Sequence, residues 1–266
     1  ERMLARLTLD TNGVRGDEEG FDPTSIARYG LGADGGTDYT GQTSWSPFAL
    51  STGWTFTDEE TWGTRFNYDD ERFAATMDWY FGLVDKGFLP PFGTFGDSSP
   101  TQTQLQSGSA ALATAGSWMI TTFASMEGMD LGIAPLPAGP VGTPVSMFNG
   151  LGDSISAQSE RKEEAARLIA FLASDEAQRV IGERAPFFPA TDAGTEAAIA
   201  AYADEGLDVT PFTERVARGE TGLYPLVENS ASIMTIMQSA FDQCWMRRID
   251  GADFAAYNQR VNALFE

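Results

Sequence analysis

The side chains this chain could use for chemistry are aromatic rings, amides and carboxylates. It has no histidine and one cysteine, Cys244, in 266 residues. Ser-His-Asp and Cys-His relays are therefore excluded, as are histidine-containing metal sites and thiolate metal cages. No Walker lysine motif and no G-x-G-x-x-G after a strand is present, so nucleotide has no anchor and no cofactor is expected. The segment Leu9 to Phe21 carries Asp10, Asn12, Asp17 and Glu19. Thr11-Asn12-Gly13-Val14 breaks the alternate-ligand register of a calcium loop, so this segment reads as a solvated turn and no metal is expected. A pair of carboxylates could still hydrolyse a glycoside. With 38 Asp+Glu no pair stands out by spacing, and no catalytic residue is assigned.

The positive signal is the aromatic supply: six Trp, seven Tyr and 18 Phe. Several sit beside Gly, Ser and Asn rather than on apolar stripes. Trp45, Phe48 and Trp54 lie in a Ser/Gly-rich stretch, Trp118 follows Gly116-Ser117 at a strand end, Phe148 precedes Asn149-Gly150, and Phe187-Phe188 stands between two prolines. A flat ring against a C–H face, with amides and carboxylates at the rim, is how neutral polyols are held. On composition alone Phe48, Trp54 and Trp62 read as ordinary buried aromatics. Trp118 reads as exposed, because Gly-Ser-Trp at a strand end puts the ring at the carboxyl edge of an α/β sheet, where open sheets bind ligands.

The elements that position these rings follow from periodicity. Leu4 and Leu7 are at helical spacing, and the chain begins inside that helix with no residue to cap it, so it reads as a fragment. Asp22-Pro23 predicts a short helix start. Asp69 predicts an N-cap, followed by the stripe Phe73, Met77, Phe81 and Val84 until Gly87 and Pro90-Pro91 end the helix. Residues 102–107 read as a short helix, and 110–115 and 131–136 as strands. Ser159 predicts a cap for a helix with Ala165, Leu168, Ile169 and Leu172 inward. Ser174-Asp175-Glu176 starts another with Ala177, Val180 and Ile181 inward. A short Ala-rich helix follows Pro189, then a loop over 219–227. Two final helices are separated by Asp250-Gly251, the last turning Phe254, Tyr257, Val261 and Leu264 to one side. Short, separated strands joined through helices argue for an α/β fold.

Seventeen Lys+Arg against 38 Asp+Glu leave a net charge of −21. That surface repels nucleic acid and anionic lipid, so neither is an expected partner. Cys244 beside Trp245 reads as a buried thiol. No run approaches the roughly 20 apolar residues of a membrane helix.

The order of motifs resembles the bacterial extracellular solute-binding proteins of family 1, the sugar-capturing subunits of ABC importers. FDPTSIARYG is similar to the segment opening that family's C-terminal lobe. Ser44-Trp45-Ser46-Pro47-Phe48 with Ser51-Thr52-Gly53 resembles its aromatic-then-glycine binding loop, and Gly108 to Trp118 its strand of small residues ending in G-x-W. FNGLGDSISAQSERKEEAARLIAFLASDEAQ resembles its crossover of glycine turn, strand and two helices, and APFFPA the proline-bearing loop beyond.

The resemblance implies a two-lobed, periplasmic-binding-protein-like (type II) fold. Residues 1–155 and 208–266 would form the C-terminal lobe, and 156–207 the returning segment of an N-terminal lobe whose start this chain lacks. It also implies capture without chemistry, by closure on a carbohydrate that is then delivered to a membrane permease. The chain would act outside the cytoplasm, as a monomer, periplasmic or lipid-anchored. Trp118 would stack on a sugar, with Trp45 as a second platform. Ser46, Phe48, Gly116, Ser117, Phe148, Gly150 and Phe187 would line the site, and Asn149, Glu228 and Asn229 would bond hydroxyls. The alternatives are a polyamine, metal chelate or peptide on the same fold, or a glycoside-processing enzyme.

Overall fold

The computed structural model describes residues 1–33, 39–95, 100–184 and 187–266. They divide into two compact units: Glu1–Thr114, Leu136–Met147 and Thr221–Glu266 in the first, Ala115–Pro135 and Phe148–Glu220 in the second. The division departs from the expected boundaries, because residues 115–135, 148–155 and 208–220 join the second unit. The reason is packing. Ile120, Tyr202 and Val209 share one small core, with Ile133, Phe188, Ile199, Leu207 and Phe212 against it.

The first unit is built on a three-stranded sheet in the order β1-β2-β3, with β1 at Leu9–Asp10, β2 at Ile26–Leu31 and β3 at Ala110–Leu112. β2 runs antiparallel to β1 and parallel to β3, with Tyr29 opposite Ala110 and Leu31 opposite Leu112. Helix α1 (Arg2–Leu7) precedes it, and α2 (Ser46–Leu50), α3 (Glu71–Asp85) and α4 (Thr101–Gln106) follow β2. The predicted helix at Asp22-Pro23 is a turn, because the Asp22 carboxylate accepts from the Thr24 N–H and hydroxyl at 2.9 and 2.7 Å. Such an Asx turn competes with helix for the same donors.

Of the expected α3 stripe, Phe73, Met77 and Phe81 are core at no more than 1% exposure, whereas Val84 is only partly buried and Leu83 is fully buried in its stead. Its N-cap is Asp70 rather than Asp69, which instead pairs with Arg65 at 2.9 Å. Around α3 the rings of Trp45, Trp54, Phe66, Tyr68, Phe73, Phe241 and Phe254 form a continuous aromatic core. Trp45 stacks on Phe241 at 4.6 Å, and Phe73 meets Trp54, Tyr68 and Phe254 at 4.9, 5.2 and 5.2 Å. Each such burial contributes about 1.5–3 kcal/mol, which makes this cluster the main stabiliser of the unit. Phe241 lies on α10 (Ser230–Trp245) and Phe254 opens α11 (Phe254–Asn262). Cys244 on α10 is fully buried, and burial pushes its thiol up to about 12, so it is inert packing as expected.

The second unit has α5 (Ile120–Ala124), α6 (Lys162–Leu172), α7 (Asp175–Arg184), α8 (Asp192–Asp204) and α9 (Thr210–Ala217). A two-stranded ribbon pairs β4 (Ser146–Phe148) with β5 (Thr221–Leu223); all of it but Phe148 belongs to the first unit, and β5 lies inside the predicted loop at 219–227. α7 and α8 approach closely through glycines: a side chain on Gly182 would meet the Gly194 carbonyl at 2.2 Å. The predicted strand at 131–136 is irregular chain running into Pro135 and Pro137, and residues 149–156, also expected to hold a strand, are irregular and exposed. Helix α6 forms where predicted, yet none of its residues is buried, and Leu168 and Phe171 are 57% and 50% exposed. Val180 on α7, expected inward, is 54% exposed. Ala185 and Pro186 of the APFFPA loop lie outside the described residues. No described helix is long and apolar enough to cross a membrane.

The acidic loop after β1 has a structural use. The Asp10 carboxylate takes N–H bonds from Asn12, Val14 and Asp22 at 2.8, 2.9 and 3.2 Å. Burial pushes Asp10 up, but these backbone donors together outweigh it and hold the carboxyl below its ordinary range. No group of His, Cys, Asp or Glu among the described residues could hold a metal ion.

Candidate functional site

In the second unit the chain leaves Gly116 in extended conformation (φ −87°, ψ 162°), makes one tight turn over Ser117–Met119 and enters α5. The Met119 N–H closes that turn on the Gly116 carbonyl at 3.0 Å. Trp118 is 39% exposed, and its six-membered ring lies directly over the Gly116 α-carbon. A Cβ at Gly116 would fall 2.1–2.5 Å from three of its ring carbons. The glycine therefore works as a backstop for the indole, fixing its tilt while leaving the rest open. Phe148 (41% exposed), Asn149 and Gly150 are at the surface at the end of β4, and Phe187 is half-buried beside Phe188, which packs on Tyr202 and Phe212.

In the first unit two expected site residues prove to be interior. Trp45 is 1% exposed and Ser46 is fully buried, its hydroxyl donating to the Gly41 carbonyl at 2.9 Å. With Phe241 stacked on one face and Trp54, Phe56 and Phe73 around it, Trp45 has no face left for a solute, so its assignment as a second platform is corrected. The Ser/Gly-rich surroundings suggested a loop, but α2 with Pro47 at its start carries the ring inward. Phe48 is half-buried against Trp79 and Tyr80 of α3, a packing position. Asn229 caps α10 in left-handed conformation, and its amide nitrogen donates to the Leu264 carbonyl at 3.0 Å, while Glu228 is exposed.

A polar cluster that the sequence reading missed lies in the first unit. The Tyr224 hydroxyl bonds the Gln42 amide oxygen and takes a bond from the Thr40 hydroxyl at 3.3 Å, and Thr114 bonds the Thr43 carbonyl nearby. The signal was the run Thr40-Gly41-Gln42-Thr43, whose amide and hydroxyls precede a buried tryptophan. Tyr224 sits just past β5, in a stretch read as loop. Uncharged donors and acceptors of this kind suit hydroxyl groups rather than an anion or a metal. Of the aromatics read as buried, Trp54 is so at 1% exposure, whereas Trp62 is 63% exposed.

The described residues thus combine a mixed α/β architecture with an exposed indole on a strand-to-helix turn and a cluster of uncharged amide and hydroxyl groups. The chain belongs to the bacterial extracellular solute-binding protein family, whose model matches residues 12–206. Among solved structures it is similar to Mycobacterium tuberculosis UspC, with 24% identity and a TM-score of 0.79 over 100% of this chain and 64% of that one. It also resembles a Thermotoga lettingae ABC transporter solute-binding protein bound with α-D-tagatose (15% identity, TM-score 0.71, 90% and 60% of the two chains). A third likeness is to the Bdellovibrio bacteriovorus maltose/maltodextrin-binding domain MalE bound to maltotriose (19%, 0.66, 99% and 64%). These likenesses establish the fold, and the chain spans between 60% and 64% of the length of these relatives. None of the curated proteins compared matches it.

Proposed function

We propose that the protein captures a neutral carbohydrate, an oligosaccharide in the first instance, and delivers it to the membrane permease of an ABC importer. The observation that carries this reading is Trp118, an indole held at a fixed tilt by Gly116 and 39% exposed. A preset aromatic face costs little ordering when a sugar ring stacks on it. Ser117, Phe148, Asn149, Gly150 and Phe187 of the same unit supply the remaining contacts. The sugar-bound relatives support the same class of solute. The first unit then corresponds to the C-terminal lobe and the second contains the returning segment of the other. The protein works outside the cytoplasm, periplasmic or lipid-anchored, as a monomer and without catalysis.

A thermal-shift screen of the full-length protein against neutral mono- and oligosaccharides, polyamines and peptides tests this. A ligand that binds only the folded state raises stability by about 2.7 kcal/mol at a concentration of 100 times its Kd. A saccharide is expected to raise the melting temperature and to be recovered unchanged. Stabilisation by a polyamine or peptide alone overturns the carbohydrate reading. Conversion of the saccharide to products overturns capture without chemistry.

A further inference from the structure

Trp62 stands at the tip of a strapped loop in the first unit. Thr57 bridges Phe66 across its base, and the Asp58 N–H bonds the Arg65 carbonyl at 2.9 Å. The Asp58 carboxylate accepts from the N–H groups of Glu59, Thr64 and Arg65 at 3.1, 3.0 and 3.1 Å. Phe66 is tied in turn to α11, exchanging hydrogen bonds with the Asn262 amide at 2.7 and 3.1 Å. On this rigid base Trp62 takes φ +57°, a left-handed conformation that bulky side chains rarely adopt. Its N–H is locked to the Leu226 carbonyl at 2.7 Å, and Thr61 pairs with Leu226 as a parallel bridge. The loop thus holds an unfavourable backbone conformation and leaves its indole 63% exposed. Strain of this kind persists where the surrounding structure imposes it, and it marks functional positions.

The neighbours indicate a ligand. Leu226, to which Trp62 is bonded, is itself 46% exposed, and Leu223 at the end of β5 is 39% exposed, so the chain leaving β5 carries exposed apolar side chains next to the indole's anchor. Two residues before Leu226 on that segment is Tyr224, whose hydroxyl bonds Gln42 and Thr40. An indole face and a hydroxyl–amide cluster carried on one short segment match the two sides of a sugar chain, its C–H faces and its hydroxyl rim. Exposed Glu59, Glu60 and Thr61 add hydroxyl-bonding groups at the tip.

We infer that Trp62 is a second carbohydrate platform, one that engages the outer units of an oligosaccharide whose inner units contact Tyr224 and Gln42. The inference rests on the carbohydrate reading above. Its test is calorimetry of the full-length protein with ladders of α-linked and β-linked gluco-oligosaccharides from disaccharide to heptasaccharide. Trp62→Ala is expected to weaken the longer oligomers by roughly three- to tenfold and to leave the disaccharide unchanged. Trp62→Gly is expected to show the same length-dependent loss together with a raised melting temperature, since glycine adopts positive φ freely. That combination separates loss of a platform from loss of fold. Equal affinity of wild type and Trp62→Ala at every length overturns the inference, as does an equal loss at every length. In both cases the carbohydrate reading stands if Trp118→Ala abolishes binding. Absence of binding to either ladder by the wild type overturns both.

Discussion

Replacing Gly116 by alanine moves one ring and leaves the rest of the protein in place. The backbone at Gly116 is extended, with φ −87° and ψ 162°, which alanine adopts without strain. The added methyl would stand 2.1–2.5 Å from Trp118 ring carbons. Carbon atoms rest about 3.5–4.0 Å apart, so the indole must retreat by about 1.5 Å or swing off the glycine. Trp118 lies outside the Ile120–Tyr202–Val209 core, so the fold has no reason to weaken. A Gly→Ala change at a compatible position stabilises by about 0.4–1 kcal/mol through the unfolded chain. Binding should suffer instead. If about 60–100 Å² of the ring meets the sugar, its burial is worth about 1.5–2.5 kcal/mol, and losing that contact raises Kd about twelvefold to sixtyfold. Calorimetry of Gly116→Ala in the full-length protein, beside a melting curve, measures both quantities. A variant that binds its saccharide as tightly as wild type would falsify the backstop argument and the assignment of Trp118 as platform.

Trp45→Ala has the opposite signature. Removing a fully packed tryptophan costs about 3–5 kcal/mol, so the urea midpoint should fall sharply. Retained stability with lost sugar affinity would show that the ring is a ligand platform after all. Acid should also weaken the fold. Hydrogen bonding from Arg72 holds Asp70 below the ordinary carboxylate range, and Asp58 is held there because N–H donors of Arg65 and Thr64 outweigh its burial, as happens at Asp10. A depressed folded pKa means the unfolded chain binds the proton more readily. This stabilisation is present above the unfolded pKa of about 4 and is lost as pH falls through the folded values. A urea midpoint that holds steady or rises on acidification below about pH 4 would contradict that sign.

The parts of the fold that were legible in the sequence are those where one element decides its own environment. The stripe Phe73–Met77–Phe81 and the buried Phe254 and Val261 follow from helical spacing against a large aromatic core, and both are buried. The turn at Asp22 was misread because a side-chain acceptor for the Thr24 N–H outcompetes the helix that proline would start. The stretch 131–136 has strand composition but pairs with no strand among the described residues, and Pro135 and Pro137 remove two ladder donors. Trp45 and Trp62 were misread in opposite directions. Small polar neighbours accompany an interior ring in one case and an exposed one in the other, and only tertiary packing distinguishes them. Trp118 was legible because glycine two residues before it leaves room for the ring to lie back on the chain. The Tyr224–Gln42–Thr40 cluster joins residues more than 180 positions apart, a distance no local pattern reports.

The placement of the tryptophans also gives the chain an optical asymmetry. Of the six, Trp45, Trp54, Trp62, Trp79 and Trp245 belong to the first unit and only Trp118 to the second. Trp45, Trp54 and Trp245 are at most 7% exposed, Trp79 is half-buried, and Trp62 and Trp118 face water. Intrinsic emission therefore combines a blue, quencher-protected component from one unit with a red, quencher-accessible component shared between the two indoles proposed to meet the sugar. With Trp62 replaced by phenylalanine, acrylamide quenching of the red component would report on the second unit almost alone, giving the protein a built-in fluorophore at its candidate platform without any added label.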